Sequence, residues 1–449
     1  MVDNADVRKR LAAAVPPNVL AVCKTLAEAG HQAVTVGGAV RDAILGRTPG
    51  DWDVATSARP EDVMALFRRT IPTGLQHGTV TIVTGRGEES HVEVTTYRGE
   101  GAYTDARRPD HVTFGVPLVE DLARRDLRVN AMAYDPASDQ LIDPYAGQVD
   151  IDEKKLRAVG PTGNVYEDAV ARFTEDGLRV MRAVRFAAVL EFELDPDTER
   201  GIVPALPSLA KVSKERISDE LRKLLATRQP SRGLAIAERT GIIALILPRL
   251  AAALDAWGEA RGGRGAAVAA WLSRVDAATP AVRLGALLVE LGEPASDPHY
   301  RDAAAFEHVD GVLRALKFSN QESVAAAHLV SIARAVELAD LTPPQLRKLF
   351  SLIGREHAQH AIELWKAHTP AHPGVIAEGE RILREKQPLS PKDLALTGKD
   401  LIDALAQPPG PVIGRILGVL LDRVIDDPRL NTRDQLLEIA QQLELQVGR

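Results

Sequence analysis

The stretch VGGAVRDAILGRTPGDWDVAT, residues 36–56, decides how the rest of the chain is read. An apolar run over residues 33–36 ends in Gly37-Gly38. A short helical pattern over 39–45 follows and stops at Gly46, and then come Asp51 and Asp53 with one residue between them. Residues two apart in an extended segment face the same way, so the two carboxylates aim at one point. Unneutralised they repel, and a divalent cation is their natural occupant. The glycines make a strand-to-helix turn whose backbone N–H groups suit a phosphate. This order of residues points to a nucleoside triphosphate and magnesium (Mg2+) at the edge of a sheet, with Asp51 and Asp53 as the metal ligands.

The pattern GGAVRD…LG…DWD resembles the first motif of the tRNA nucleotidyltransferase and poly(A) polymerase family, the bacterial class II branch of the polymerase-β-like superfamily. The resemblance implies an α+β chain. An N-terminal nucleotidyltransferase head of mixed sheet and helices (1–150) would be followed by an all-helical neck (151–228), body (229–370) and tRNA-binding tail (371–449).

Composition is compatible with this. A chain of 449 residues is too long for one core. Aromatic residues make up 4%, which argues against base-stacking platforms as the main nucleic-acid contact. Cys23 is the single cysteine, so neither an internal disulfide nor a cysteine zinc site can form, and a reducing cytoplasm fits. No apolar run is long enough to span a bilayer, and the N-terminus lacks a signal-peptide core. The net charge of −7 does not announce nucleic acid; positive charge would have to be concentrated locally. By the resemblance the expected partners are tRNA, CTP and ATP, with no membrane and no DNA.

Along the head, residues 79–84 and 91–97 alternate as strands, and Glu93 shares a face with Thr95 and Tyr97. Ser57 and Pro60 are expected to start a helix. The polar segment 98–110 is a surface hairpin tip or a functional flap. The stretch EDLARRDLRVNAMAYD, residues 120–135, resembles the family's second motif. The resemblance implies that Arg125 contacts the nucleotide phosphates and Asp126 the ribose 2′-hydroxyl. Residues 143–147 (DPYAG), with Asp150, resemble the family's connecting motif and read as a joint. The strand signal disappears near residue 151.

TEDGLRVMRAVRFAAVL, residues 174–190, reads as one helix capped by Thr174. Leu178, Met181, Val184 and Ala188 form its buried stripe. Asp176, Arg179, Arg182 and Arg185 form a line up the other face. Three arginines at one spacing with no acidic partner beyond the first turn suggest an anionic ligand. The stretch resembles the family's nucleotide-selecting motif, with Gly177 where the family usually has proline. By that resemblance Asp176 and Arg179 select the base. The pairing edges of C and A offer an amino donor beside a bare ring nitrogen; U and G offer the inverse. A carboxylate beside a guanidinium matches the first pattern.

KVSKERISDELRKLL, residues 211–225, resembles the motif that braces that helix, and reads as structural support. The glycine-rich segment 258–267 reads as a loop. Relatives often carry a His-Asp phosphohydrolase pair in a stretch like LLHDIGKP; here LLVELGEP, residues 287–294, has Val289 and Glu290 instead, and no such metal site survives. His357 and His360 read as surface residues. The tail, 394–443, resembles the C-terminal segment of CCA-adding relatives.

The implied function is template-independent addition of CCA to the 3′ end of tRNA from CTP and ATP, with release of pyrophosphate. Asp51, Asp53 and a third carboxylate, Glu93, would be catalytic. Gly38 and Arg41 would hold phosphate or ribose, and Arg125, Arg182 and Arg185 would neutralise the triphosphate. The alternatives are an A-adding enzyme, a poly(A) polymerase, and a non-enzymatic RNA-binding protein. LQHGTVTIV, residues 75–83, stands where poly(A) polymerases usually carry a basic signature. The segment 98–110 is one that CC-adding relatives lack.

Overall fold

The computed structural model describes residues 4–87, 90–100, 112–260, 262–292, 302–368 and 371–447. The chain divides into two compact units, Met1–Ile246 and Leu247–Arg449.

The first unit is built on a seven-stranded sheet. Its strands are β1 (Ala33–Val36), β2 (Asp53–Thr56), β3 (Thr70–Gly74), β4 (Thr79–Val83), β5 (His91–Thr96), β8 (Ala133–Asp135) and β9 (Gln140–Ile142); β6 (Arg98–Glu100) and β7 (Val112–Phe114) pair separately. The order across the sheet is β3-β4-β5-β2-β1-β8-β9. β2 and β5 run parallel; every other neighbouring pair is antiparallel. β1 is buried throughout, as its continuous apolar run requires. Val34, Val36, Ala55, Tyr97, Leu122 and Ala133 form the core on one face. β3 carries no alternation in sequence and is irregular in structure, with a register shift between Ile71 and Gly74. That irregularity hides it from periodicity.

One expected helix start moves. Arg59, not Ser57, occupies the cap position of the helix Pro60–Leu66. Ser57 Oγ instead accepts from the Gln32 amide at 2.9 Å. The segment 101–111, most of the expected flap, lies outside the described residues; β6 and β7 flank it as an antiparallel pair. Strand structure also does not end at 151: β10 (Lys155–Leu156) and β11 (Glu193–Leu194) form a parallel pair too short to show a period.

Residues 174–190 are not one helix. The helix Val165–Glu175, capped by Asn164, swallows Thr174, and a second helix, Leu178–Leu190, begins after Asp176 and Gly177. Asp176 is extended, at φ −128° and ψ 102°, so Asp176 and Arg179 do not share a helix. The expected stripe of Leu178, Met181, Val184 and Ala188 is buried. Gly177 is placed by a close backbone approach: a Cβ there would meet Leu209 N and Ser208 C at 2.4 Å.

The second unit is helical. The glycine-rich segment is mostly helix, Pro248–Ala260 and Arg264–Ala277, with Gly262 and Gly263 at positive φ between them. Its C-terminal helices, Gly398–Leu405, Pro411–Asp426 and Arg433–Val447, enclose a core including Leu401, Leu420, Val424 and Leu436. Arg347 Nε and Nη2 cap the second of these by donating to Ile425 O at 2.6 Å and Asp426 O at 3.2 Å. Among the described residues no helix is long and apolar enough to cross a membrane.

Gly177→Ala is expected to lower stability by about 1–3 kcal/mol, because the neighbour is backbone and cannot rotate away. Urea denaturation of the two proteins checks it.

Candidate nucleotide-binding site

Sheet register builds the carboxylate edge. Asp53 opens β2 and pairs with Val36, the last residue of β1, on one side and with Glu93 of β5 on the other. Neighbours in register point to the same face, so Asp53 and Glu93 stand side by side. Asp51 lies two residues before Asp53, and both are exposed. Although its tip is open to solvent, the Asp53 carboxyl is pushed up to about 6. Desolvation by the surrounding protein is the main cause; Glu93 and Asp51 add to it and Arg125 opposes it. The donors are all hard carboxylate oxygens, which suits a small divalent cation that retains waters or substrate oxygens as further ligands. Among the described residues no three His, Cys, Asp or Glu side chains are grouped closely enough to hold a metal ion by themselves, so Asp51, Asp53 and Glu93 share an edge without forming a three-carboxylate site.

Next to this edge is a cavity of about 610 Å³, lined among others by Gly37, Gly38, Asp53, Asp126, Asn130, Asp176 and Phe186 and by Arg41, Arg98, Arg124, Arg125, Arg179, Arg182 and Arg216. Gly37 sits at φ +80°, and a Cβ there would come within 2.8 Å of Arg125 Nη1. Glycine is therefore required for conformation and for the approach of that guanidinium. Arg125 also lies 3.7 Å from Asp121. Arg41 is buried, its Nε on Asp42 at 2.9 Å and its Nη1 on Asn130 Oδ1.

The line of arginines has partners that sequence spacing did not reveal. Arg179 Nη1 donates to Glu175 at 2.9 Å and to Arg172 O at 3.2 Å. Arg182 meets Asp126 at 2.6 Å, and Arg185 meets Glu220 at 2.6 Å. Arg185 is not among the residues lining the cavity. Asp126 is buried and engaged: Oδ1 accepts from Leu127 N at 2.8 Å and Asn130 Nδ2 at 2.9 Å, and Oδ2 from Arg182. Asp176 and Arg179 line the same cavity although they belong to different elements. Asp176 Oδ2 accepts from Arg216 at 3.0 Å. Arg216, read as structural support, thus lines the cavity itself. Asn130 and Phe186 were also not anticipated; a lone aromatic directly after Arg185, at the end of the arginine line, was the available signal for the second.

A family model for the poly A polymerase head domain matches residues 33–157, and others for the RNA- and SrmB-binding site of polymerase A and for tRNA nucleotidyltransferase domain 2 match 191–254 and 303–440. The CCA-adding enzyme of Geobacillus stearothermophilus is 38% identical, over 94% of this chain and 96% of its own length. That of Lactococcus lactis subsp. cremoris MG1363 is 35% identical, over 95% and 96%. This chain belongs to the CCA-adding enzyme family of tRNA nucleotidyltransferases. The crystal structure of the Bacillus stearothermophilus CCA-adding enzyme in complex with CTP superposes with a TM-score of 0.70 at 31% identity, covering 97% of this chain and 99% of the other.

Within this family member the residues at the His-Asp positions are core. Val289 and Glu290 are buried, and both Glu290 oxygens accept from Arg274 Nη1, at 2.6 and 2.8 Å. His357 is half-buried and stacks on His328 at 5.2 Å instead of standing on the surface.

Burial pushes the Asp126 carboxyl up, but Arg182, Asn130 and the Leu127 amide outweigh it and hold the group well below the usual carboxylate range. A depressed folded pKa stabilises above the unfolded value of about 4 and is lost as pH falls below it. Asp126→Asn should therefore be less stable at pH 7, and the difference from the parent should shrink as pH drops below about 4. Denaturation midpoints across pH 3–7 read this out.

Proposed function

We propose that this chain adds C, C and A in turn to the 3′ end of tRNA, taking CTP and ATP and releasing pyrophosphate. The observation that carries the reading is the arginine-lined cavity of about 610 Å³ beside the paired carboxylates. Seven guanidiniums among the described residues around one space suit a polyanion, and about 610 Å³ is in the range of small-ligand sites. Work on tRNA, together with the single, buried Cys23, fits a cytoplasmic location.

Asp51 and Asp53 would hold magnesium, with Glu93 as the third carboxylate. When bound, the ion supplies Lewis-acid activation of the terminal hydroxyl and charge relief on the triphosphate. The tRNA 3′-hydroxyl gives up its proton to solvent as its oxygen attacks the α-phosphorus, the bond from the α-phosphorus to the bridging β-phosphate oxygen breaks, and pyrophosphate departs with the electron pair. Arg125 and Arg182 face this charge as it develops. Gly38 and Arg41 border the phosphate and ribose end. Asp126, its oxygens already engaged, serves by holding Arg182 in place, and Arg185 braces the helix through Glu220. Asp176 and Arg179 would read the base edge, Asp176 accepting from the amino group and Arg179 donating to the ring nitrogen.

The decisive assay gives the protein magnesium, labelled CTP and ATP, and a tRNA lacking its last three nucleotides. Three nucleotides should be added and extension should then stop. Asp51→Ala or Asp53→Ala should cut turnover by roughly 10³-fold with the fold retained; near-parental turnover would refute the assignment. Asp176→Ala should raise use of UTP or GTP relative to CTP and ATP by about 10-fold or more, since a bidentate contact contributes about 1–3 kcal/mol of discrimination. A proportional loss for all four nucleotides would place base selection elsewhere.

A further inference from the structure

Three guanidiniums surround the ring of Phe186. Arg185 lies 4.3 Å from its centroid, Arg41 5.2 Å and Arg182 5.4 Å. Two of the three line the cavity with it. They come from separate elements, Arg41 from the helix Gly38–Ile44 and Arg182 from Leu178–Leu190. Each is held along an edge by hydrogen bonds: Arg41 on Asp42 and Asn130, Arg182 on Asp126, Arg185 on Glu220. Edge contacts leave a planar guanidinium free to tilt. The negative face of an aromatic ring attracts a cation above it and restrains that tilt, which an aliphatic side chain of similar bulk cannot do. The ring is also only 7% exposed. It offers too little open surface to stack a nucleobase, the usual use of an aromatic in a nucleotide site.

We propose that Phe186 is a positioning residue for the triphosphate: its π-face sets the planes of Arg41 and Arg182 at the cavity wall, so that their fork geometry is preorganised for phosphate oxygens. The inference rests on the cavity being the nucleotide site. It concerns the part common to CTP and ATP, so its consequence is independent of the base. Electron withdrawal from the ring weakens the restraint without changing the ring's shape much.

The test places 4-fluoro-, 3,5-difluoro- and pentafluorophenylalanine at position 186 of the full chain by suppression. KM is measured for CTP on tRNA lacking CCA and for ATP on tRNA ending in CC, alongside inhibition by pyrophosphate. Both KM values and the pyrophosphate inhibition constant should rise stepwise along the series, by roughly 3- to 10-fold at the pentafluoro end, with the CTP-to-ATP ratio constant. The monofluoro and difluoro proteins hold the comparison if the pentafluoro ring perturbs folding. Unchanged KM across the series, or unequal changes for CTP and ATP, would overturn the proposal. Arg182→Ala separates it from the reading it rests on. If that variant leaves both KM values unmoved, the cavity is not the nucleotide site; if it raises them while fluorination does not, the role of Phe186 alone fails.

Discussion

Like-charge repulsion is the constraint on which the first unit depends. Among the described residues seven arginines line one cavity, and guanidiniums this close disfavour one another wherever water is scarce. The fold answers with carboxylates drawn from many parts of the chain. Asp42 follows Arg41 in its helix, Asp121 and Asp126 come from the segment after β7, and Glu175 and Asp176 from the end of another helix. Each binds one or two arginines and orients them, and the cavity remains receptive to an anion because the pairing uses only part of each guanidinium. Among the described residues Arg125 Nε and Arg216 Nη1 are buried without a hydrogen-bond partner, so the network is complete only in part.

The Asp126–Arg182 pair shows how this arrangement ties sheet to helix. Asp126 precedes β8 and is anchored by the amide of Leu127 and by Asn130; Arg182 projects from the helix Leu178–Leu190. Asn130 in turn accepts from Arg41 of the helix Gly38–Ile44 that follows β1. A chain of hydrogen bonds therefore runs from that helix to the helix Leu178–Leu190. Buried networks of this kind are strong when satisfied and costly when a member is removed, which favours a single arrangement.

Glu290 illustrates the same chemistry in the second unit with a different outcome. A carboxylate standing where relatives have a metal-binding pair is clasped by Arg274, and both side chains are 2% exposed. The pair neutralises itself internally and offers no open ligand position, in contrast to Asp51 and Asp53 at the exposed end of β2.

Sequence by itself determined the local chemistry. Asp51 and Asp53 two residues apart, glycines between an apolar run and a helix, and the Arg125-Asp126 dipeptide are short-range patterns legible without a fold, because strand and helix periods act over a few residues. The loss of the His-Asp pair was equally plain. What only tertiary structure decided was partnership. Glu93 joins Asp53 through parallel strand register across about 40 residues of chain. Arg182 and Arg185 find Asp126 and Glu220 at separations of 56 and 35 residues. The break at Asp176–Gly177 depends on the backbone of Ser208 and Leu209 pressing against the glycine, a contact invisible to helical periodicity. Spacing along a chain specifies which way a side chain points; which opposite charge it meets there depends on loop closure and packing between distant segments, and one sequence read locally carries no measure of either.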